Sequence, residues 1–188
     1  MNSKSKILLV VFIFSMLFSE ENKLKIISYN VHGFGTKKIA TKVKKIIGKI
    51  KNFDIFLIQE NWVYNNLFKD RLPFHNFIFR KKKYNTFLGS GLSIGFNSKI
   101  KIIESEYVDF KTCSGILFKG SDCLASKGFI FSRISYNNKI IDFYNTHLDA
   151  GNARSDIHVR YKQIRKIKDY IKKKSSGFPV LISGDFNI

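Results

Sequence analysis

Twice along the chain an apolar run, a stretch of helical spacing and a second apolar run follow one another. Residues 24–30 (LKIISYN) read as a strand. Ile39, Val43, Ile46, Ile47 and Ile50 then recur at helical intervals behind Thr36, a candidate N-cap. Residues 53–59 (FDIFLIQ) form the next apolar run. Strand, amphipathic helix, strand is a βαβ unit, whose strands run parallel and side by side. The end of the chain repeats the order. Residues 139–147 (KIIDFYNTH) read as a strand, and Ile157, Tyr161, Ile164, Ile167 and Ile171 mark one face of a helix over 155–174. Residues 179–185 (PVLISGD) are the closing strand.

The middle has a different rhythm. Runs at 76–82, 86–96, 101–110 and 127–136 are strand-like with turns between them, and Asn137-Asn138 separates two of the strand patterns by a two-residue hairpin signal. This section is expected to be antiparallel. The sum is an α/β domain of mixed sheets with helices outside.

Composition narrows this picture. A length of 188 residues suits one domain, and 44% hydrophobic residues with 19 Phe suffice for a ring-filled core. The formal charge of +19 suits a polyanionic partner, whether nucleic acid, phosphate or anionic lipid. The lysines are spread along the chain, however, and are dense only at 80–83 and 172–174, so the charge reads equally as a solvated lysine-rich surface. Residues 1–19 carry Lys4 and Lys6 ahead of an apolar stretch at 7–18 interrupted only by Ser15, shorter than the roughly 20 residues of a membrane span. They read as a signal peptide for a secreted or periplasmic protein. Leu17 and Ser19 make a poor cleavage site, which leaves a membrane anchor by an uncleaved signal as the alternative. In that oxidising setting Cys113 and Cys123 are expected to form one disulfide, with two buried thiols as the other reading.

Polar residues gather where the strands of the two βαβ units end: Asn30, Glu60, Asn145, His147, Asp149, Asp185 and Asn187. Parallel strands present their carboxyl ends on one side, and α/β sheets bind ligands there. Each of these residues alone is an ordinary turn or strand-end residue. Together, a carboxylate with amides and an imidazole suits a hard divalent cation beside a phosphate.

The segments ISYNVHGFG, IFLIQENW, GSGLSIGF, FYNTHLDAG and LISGDFNI, in this order, resemble the endonuclease/exonuclease/phosphatase superfamily, the deoxyribonuclease I-like fold. The resemblance covers residues 24–188 and implies a four-layered α/β sandwich of two mixed β-sheets with outer helices. It implies a hydrolase, a phosphodiesterase dependent on Mg²⁺ or Mn²⁺. Glu60 would hold the metal with Asn30, which also reaches phosphate. His147, Asp185 and Asn187 would be catalytic, Asp185 as base toward water. Asn187 would bind phosphate and steady the site, and Asn145 would bind phosphate. Arg160 and Gln163 match the family's R-x-x-Q and are expected to be structural. The middle segment, CSGILFKGSDCLASKGFIF, is similar to secreted sphingomyelinase-like members, so the substrate is expected to be nucleic acid or a sphingomyelin-type phospholipid, with contact to a membrane surface and a monomeric chain. Family members continue past GDFN to a last strand and a Ser-Asp-His motif. The sequence reads as truncated there, which implies missing last strands and impaired turnover. A polyanion-binding remnant without enzymatic activity, or an inactive gene fragment, is the alternative.

Overall fold

The computed structural model describes residues 23–73, 75–79, 89–115 and 122–188. The expected export signal at 1–19 and the basic run at 80–83 lie outside the described residues. Two four-stranded sheets carry the fold. The first contains β1 (Ile26–Asn30), β2 (Ile55–Gln59), β3 (His75–Phe79) and β4 (Ser93–Asn97) in the order β1-β2-β4-β3. The second runs in sequence order through β5 (Lys101–Asp109), β6 (Gly128–Tyr136), β7 (Lys139–His147) and β8 (Val180–Asp185). Both sheets are mixed: β1 pairs β2 and β7 pairs β8 in parallel, and the remaining pairs are antiparallel.

Helix α1 (Lys37–Ile50) begins at Thr36, whose hydroxyl accepts the amide of Ile39, and it buries Val43, Ile46, Ile47 and Ile50. These meet Phe56, Ile58 and Phe68 on the outer face of the first sheet. Helix α2 (Asn65–Arg71) joins the same layer through Phe68; its short pattern escaped sequence reading. The opposite face of β2 presents Ile55 and Leu57, which pack with Ile94, Phe96, Ile130 and Phe143 between the sheets. The outer face of the second sheet, Phe129, Phe131 and Tyr144, lies under helix α3 (Arg154–Lys174). Strand periodicity therefore produces the four layers. Odd positions of β2 face the other sheet and even positions face a helix, so a strand buried on both sides has no polar face to spare. The β6–β7 hairpin turns on Asn137 and Asn138, both with left-handed backbone (φ 48° and 62°), the conformation that a two-residue primed turn requires and Asn tolerates.

Helix α3 differs from its sequence pattern. Ile157, Tyr161 and Ile164 are exposed, and the buried face is Arg160, Gln163 and Ile167. The reason is hydrogen bonding. Arg160 Nη1 donates to the carbonyls of Asp149 and Gly151, and Gln163 exchanges bonds with Asp149. The loop after β7 needs these polar groups more than it needs apolar contact.

Gly95 in β4 sits under the ring of Phe56: a Cβ there would lie 1.9–2.7 Å from the ring carbons. Gly95→Ala is therefore expected to destabilise the fold by about 1–3 kcal/mol in chemical denaturation, and adding Phe56→Leu should recover part of the loss.

Candidate active site

The alternation that builds the layers also builds the site. Ile26 of β1 and Leu181 of β8 pack between the sheets, so Asn30 and Asp185, four residues further along each strand, share that inner face. Phe143 places Asn145 and His147 of β7 likewise, and Leu57 places Gln59. The carboxyl ends of strands from both sheets thus deliver polar side chains into one seam.

Deep in it lies Asn145, fully buried. Its Nδ2 donates to the backbone carbonyls of Ile58 and Ser93, at 3.0 Å each, and its Oδ1 accepts from Gln59 Nε2 at 2.7 Å. Gln59 also donates to Ser28 Oγ. The expectation that Asn145 binds phosphate is corrected here: both hydrogens and the carbonyl are committed to the first sheet, and no part of the amide faces solvent. Its role is to bolt β7 to β2 and β4.

One turn above, Asn30 Nδ2 bridges two carboxylates, donating to Glu60 Oε1 (2.8 Å) and Asp185 Oδ2 (2.9 Å). Asp185 Oδ2 lies 4.0 Å from His147 Nε2, and Asp185 Oδ1 accepts the backbone amide of Asn187. Asn187 Nδ2 donates to Leu148 O, tying the chain after β8 to the chain after β7. Asn30, Glu60, His147, Asp185 and Asn187 therefore meet. Asp149, beside them in sequence, turns away: it is fully buried and accepts from Gln163 Nε2 and Ser114 N.

Glu60 reaches this seam against the alternation. Gln59 already points inward, so an extended Glu60 would point to the α1 side; a left-handed backbone (φ 54°) turns it back. His32 (φ 47°) and Asn187 (φ 52°) share that conformation. Non-glycine residues held there mark places where surrounding structure imposes the backbone, and such places concentrate at functional sites. The loop containing His32 is zipped to the loop after β2 by Val31 N to Gln59 O and Gly33 N to Glu60 O.

Burial and Lys127 lower the proton affinity of His147, to a pKa of about 4, against the opposing pull of Asp185 and Glu60; the imidazole is neutral at pH 7. Its Nδ1 is buried with no partner among the described residues. Burial alone would raise the Asp185 pKa, but donation by Asn30 and the Asn187 amide, with His147 and Lys127, holds it below the ordinary value, so it is ionised. Sequence reading missed Lys127 and Asp122. Lys127 is buried, pairs with Asp122 Oδ1 at 2.6 Å and donates to Leu148 O, while Asp122 Oδ2 accepts the amide of Ala150. One buried lysine among many exposed ones leaves no local signal. The Cys113–Cys123 disulfide joins the segments that supply Ser114 and Asp122 to this loop.

The donor chemistry suits Mg²⁺. Among the described residues Glu60 Oε2 pairs only with the exposed His32, at 3.0 Å, and no Lys or Arg pairs with Glu60 or Asp185. Among the described residues no three His, Cys, Asp or Glu side chains cluster as a metal cage. One outward carboxylate oxygen beside an amide matches a cation that keeps most of its water. Two hollows open at the seam, one lined by Asn30, Asp185 and Asn187 and the other by Glu60, His147 and Asn187, and they meet at Asn187.

The family described as Endonuclease/Exonuclease/phosphatase family 2 matches residues 27–188. Sphingomyelinase C of Bacillus cereus is 29% identical over 201 residues, covering 90% of this chain and 58% of the relative. The chain thus spans under two thirds of that protein's length. Two solved structures share the fold: a double mutant of beta toxin of Staphylococcus aureus with bound magnesium ions (TM-score 0.70, 23% identity, 89% of this chain and 66% of that one), and D. rerio TDP2 with a single-strand DNA product (TM-score 0.72, 22% identity, 89% and 62%).

If the left-handed turn at Glu60 stores strain, glycine should relieve it and alanine should not. Glu60→Gly is expected to be about 1–2 kcal/mol more stable than Glu60→Ala in denaturant unfolding, although both lose the bond from Asn30.

Proposed function

The chain belongs to endonuclease/exonuclease/phosphatase family 2, and from that premise we propose that residues 24–188 form a phosphodiesterase domain that works with Mg²⁺ or Mn²⁺. Glu60 holds the cation with Asn30 beside it, and His147, Asp185 and Asn187 serve the phosphate. The observation that carries this reading is the Asn30 amide joining Glu60 to Asp185, with His147 4.0 Å beyond.

A divalent cation held by Glu60 and Asn30 would supply positive charge against the charge that develops on the phosphoryl oxygens. His147 stays neutral, and the Asp185 carboxylate favours the proton on Nε2, from where the imidazole donates to a phosphate oxygen. Asp185, ionised and held by Asn30 and the Asn187 amide, orients water for attack and accepts its proton, while the ester P–O bond opposite the water breaks and the alcohol leaves, protonated from solvent. Asn187 keeps the loops after β7 and β8 in register. The substrate class is a phosphodiester of nucleic acid or of a sphingomyelin-type phospholipid. Residues 1–19 fit export, or anchoring if the signal stays uncleaved, and the domain works as a monomer.

A second reading rests on the formal charge of +19: a protein that binds polyanions without turning them over. The two separate in one assay. Hydrolysis of bis-p-nitrophenyl phosphate in Mg²⁺ is expected to vanish with chelator and to fall by about 10²–10³-fold in Glu60→Gln and in His147→Ala. Salt-sensitive DNA binding that survives Glu60→Ala, with no cleavage at any Mg²⁺ concentration, favours the second reading.

A further inference from the structure

One ring nitrogen is aimed at the free oxygen of the carboxylate that would hold the cation. His32 Nδ1 lies 3.0 Å from Glu60 Oε2. Two adjacent donors on one octahedral ion, each about 2.1 Å from it, stand about 3.0 Å apart, so this spacing suits two ligands of a single cation as well as it suits a hydrogen bond. An ordinary surface pair gives little in return. His32 is 76% exposed, and a pair so open to water stabilises a fold only slightly.

The backbone nevertheless places His32 with care. Its amide donates to Asn30 Oδ1 at 2.9 Å, while Asn30 Nδ2 donates to Glu60 Oε1, so one amide side chain holds both residues. His32 and Glu60 each keep left-handed backbone. On either side of His32, Val31 N donates to Gln59 O and Gly33 N to Glu60 O. Gly33 permits that approach, because a Cβ there would lie 2.7 Å from Glu60 O. The loops after β1 and β2 therefore lie backbone against backbone, and their two left-handed residues meet through their side chains.

The chain has four histidines. His75 pairs with Asn97 beside the start of β2, at the far end of that strand from Glu60, and His158 is exposed on α3. His147 Nε2 is turned to Asp185. His32 is the nitrogen donor at the free oxygen of Glu60.

We propose that His32 Nδ1 is a ligand of the cation that Glu60 holds, and that this nitrogen tilts the site toward Mn²⁺ and away from Mg²⁺. The proposal rests on the phosphodiesterase reading for the presence of a cation and names which one. Glu60 and Asn30 alone suit Mg²⁺, which prefers oxygen and dehydrates reluctantly; an imidazole beside them favours a first-row transition ion. In the neutral ring the hydrogen sits on Nε2, exchanging with solvent, and Nδ1 keeps its lone pair for the cation.

Electron paramagnetic resonance of Mn²⁺ tests this on the full chain without substrate. The free-ion signal gives the affinity, competition by Mg²⁺ gives the preference, and electron spin-echo modulation detects a bound nitrogen. The unsubstituted chain is expected to show imidazole nitrogen modulation. His32→Asn, which tolerates the left-handed backbone, should lose it, bind Mn²⁺ about tenfold more weakly and release Mn²⁺ at about tenfold lower Mg²⁺. His32→Asp, which supplies oxygen instead, should recover Mn²⁺ affinity without the modulation. His147→Gln should keep the modulation. Bound Mn²⁺ with no nitrogen modulation overturns the proposal, and so does modulation lost with His147 rather than His32. Tighter Mn²⁺ binding in His32→Asn overturns it too, since that is the sign of a side chain that only competes with the cation for Glu60. In each of these cases Mn²⁺ still binds and the phosphodiesterase reading stands; a chain that binds no Mn²⁺ at all fails both.

Discussion

One buried amide decides where everything else stands. Asn145 has no contact with water, and its hydrogen bonds go to the backbone of β2 and β4 and to the side chain of Gln59. A buried amide left unpaired costs about 1–3 kcal/mol, so sliding one sheet over the other breaks several such bonds at once, whereas purely apolar faces would tolerate the shift. The leucine, isoleucine and phenylalanine layer between the sheets supplies attraction without register. Asn145 supplies register. With it set, Asn30 and Glu60 from the first sheet meet His147 and Asp185 from the second.

Above that bolt, the site is held by loops that are themselves tied down. Arg160 and Gln163 fix the segment after His147 from the helix side, Lys127 and Asp122 fix it from below, and Asn187 fixes it from β8. The disulfide gathers the chain that provides Ser114 and Asp122. Left-handed backbone at His32, Glu60 and Asn187 persists because these ties over-determine it. The result is a rigid scaffold carrying two carboxylates close together, an arrangement that is unfavourable unless bridged by a donor such as Asn30 or by a cation.

The sequence announced the βαβ units, the Asn137-Asn138 hairpin and a mixed-sheet α/β class because periodicity and turn chemistry are local; the division into two sheets came from the family resemblance. It also pointed to Asn30, Glu60, His147 and Asp185, because strand ends are visible as the last polar residue after an apolar run. What it hid was long-range. Nothing local tells that Asn145 bonds to residues some 50 to 90 positions away while Asn30 stays open to a hollow at the seam. Helix α3 misled because its best apolar stripe, Ile157, Tyr161 and Ile164, faces solvent and its buried face is polar. Lys127 was invisible among the other lysines, since burial is a property of the fold.

The account stands on the claim that both sheets contribute to one cation-and-phosphate pocket. Paramagnetic broadening of backbone amide resonances by Mn²⁺ tests it without reliance on turnover. The account predicts that titration first broadens amides around Asn30 and Glu60 on one sheet and around His147 and Asp185 on the other, together and at the same metal concentration. Broadening confined to one sheet, or spread over exposed acidic residues while these four stay sharp, would contradict it.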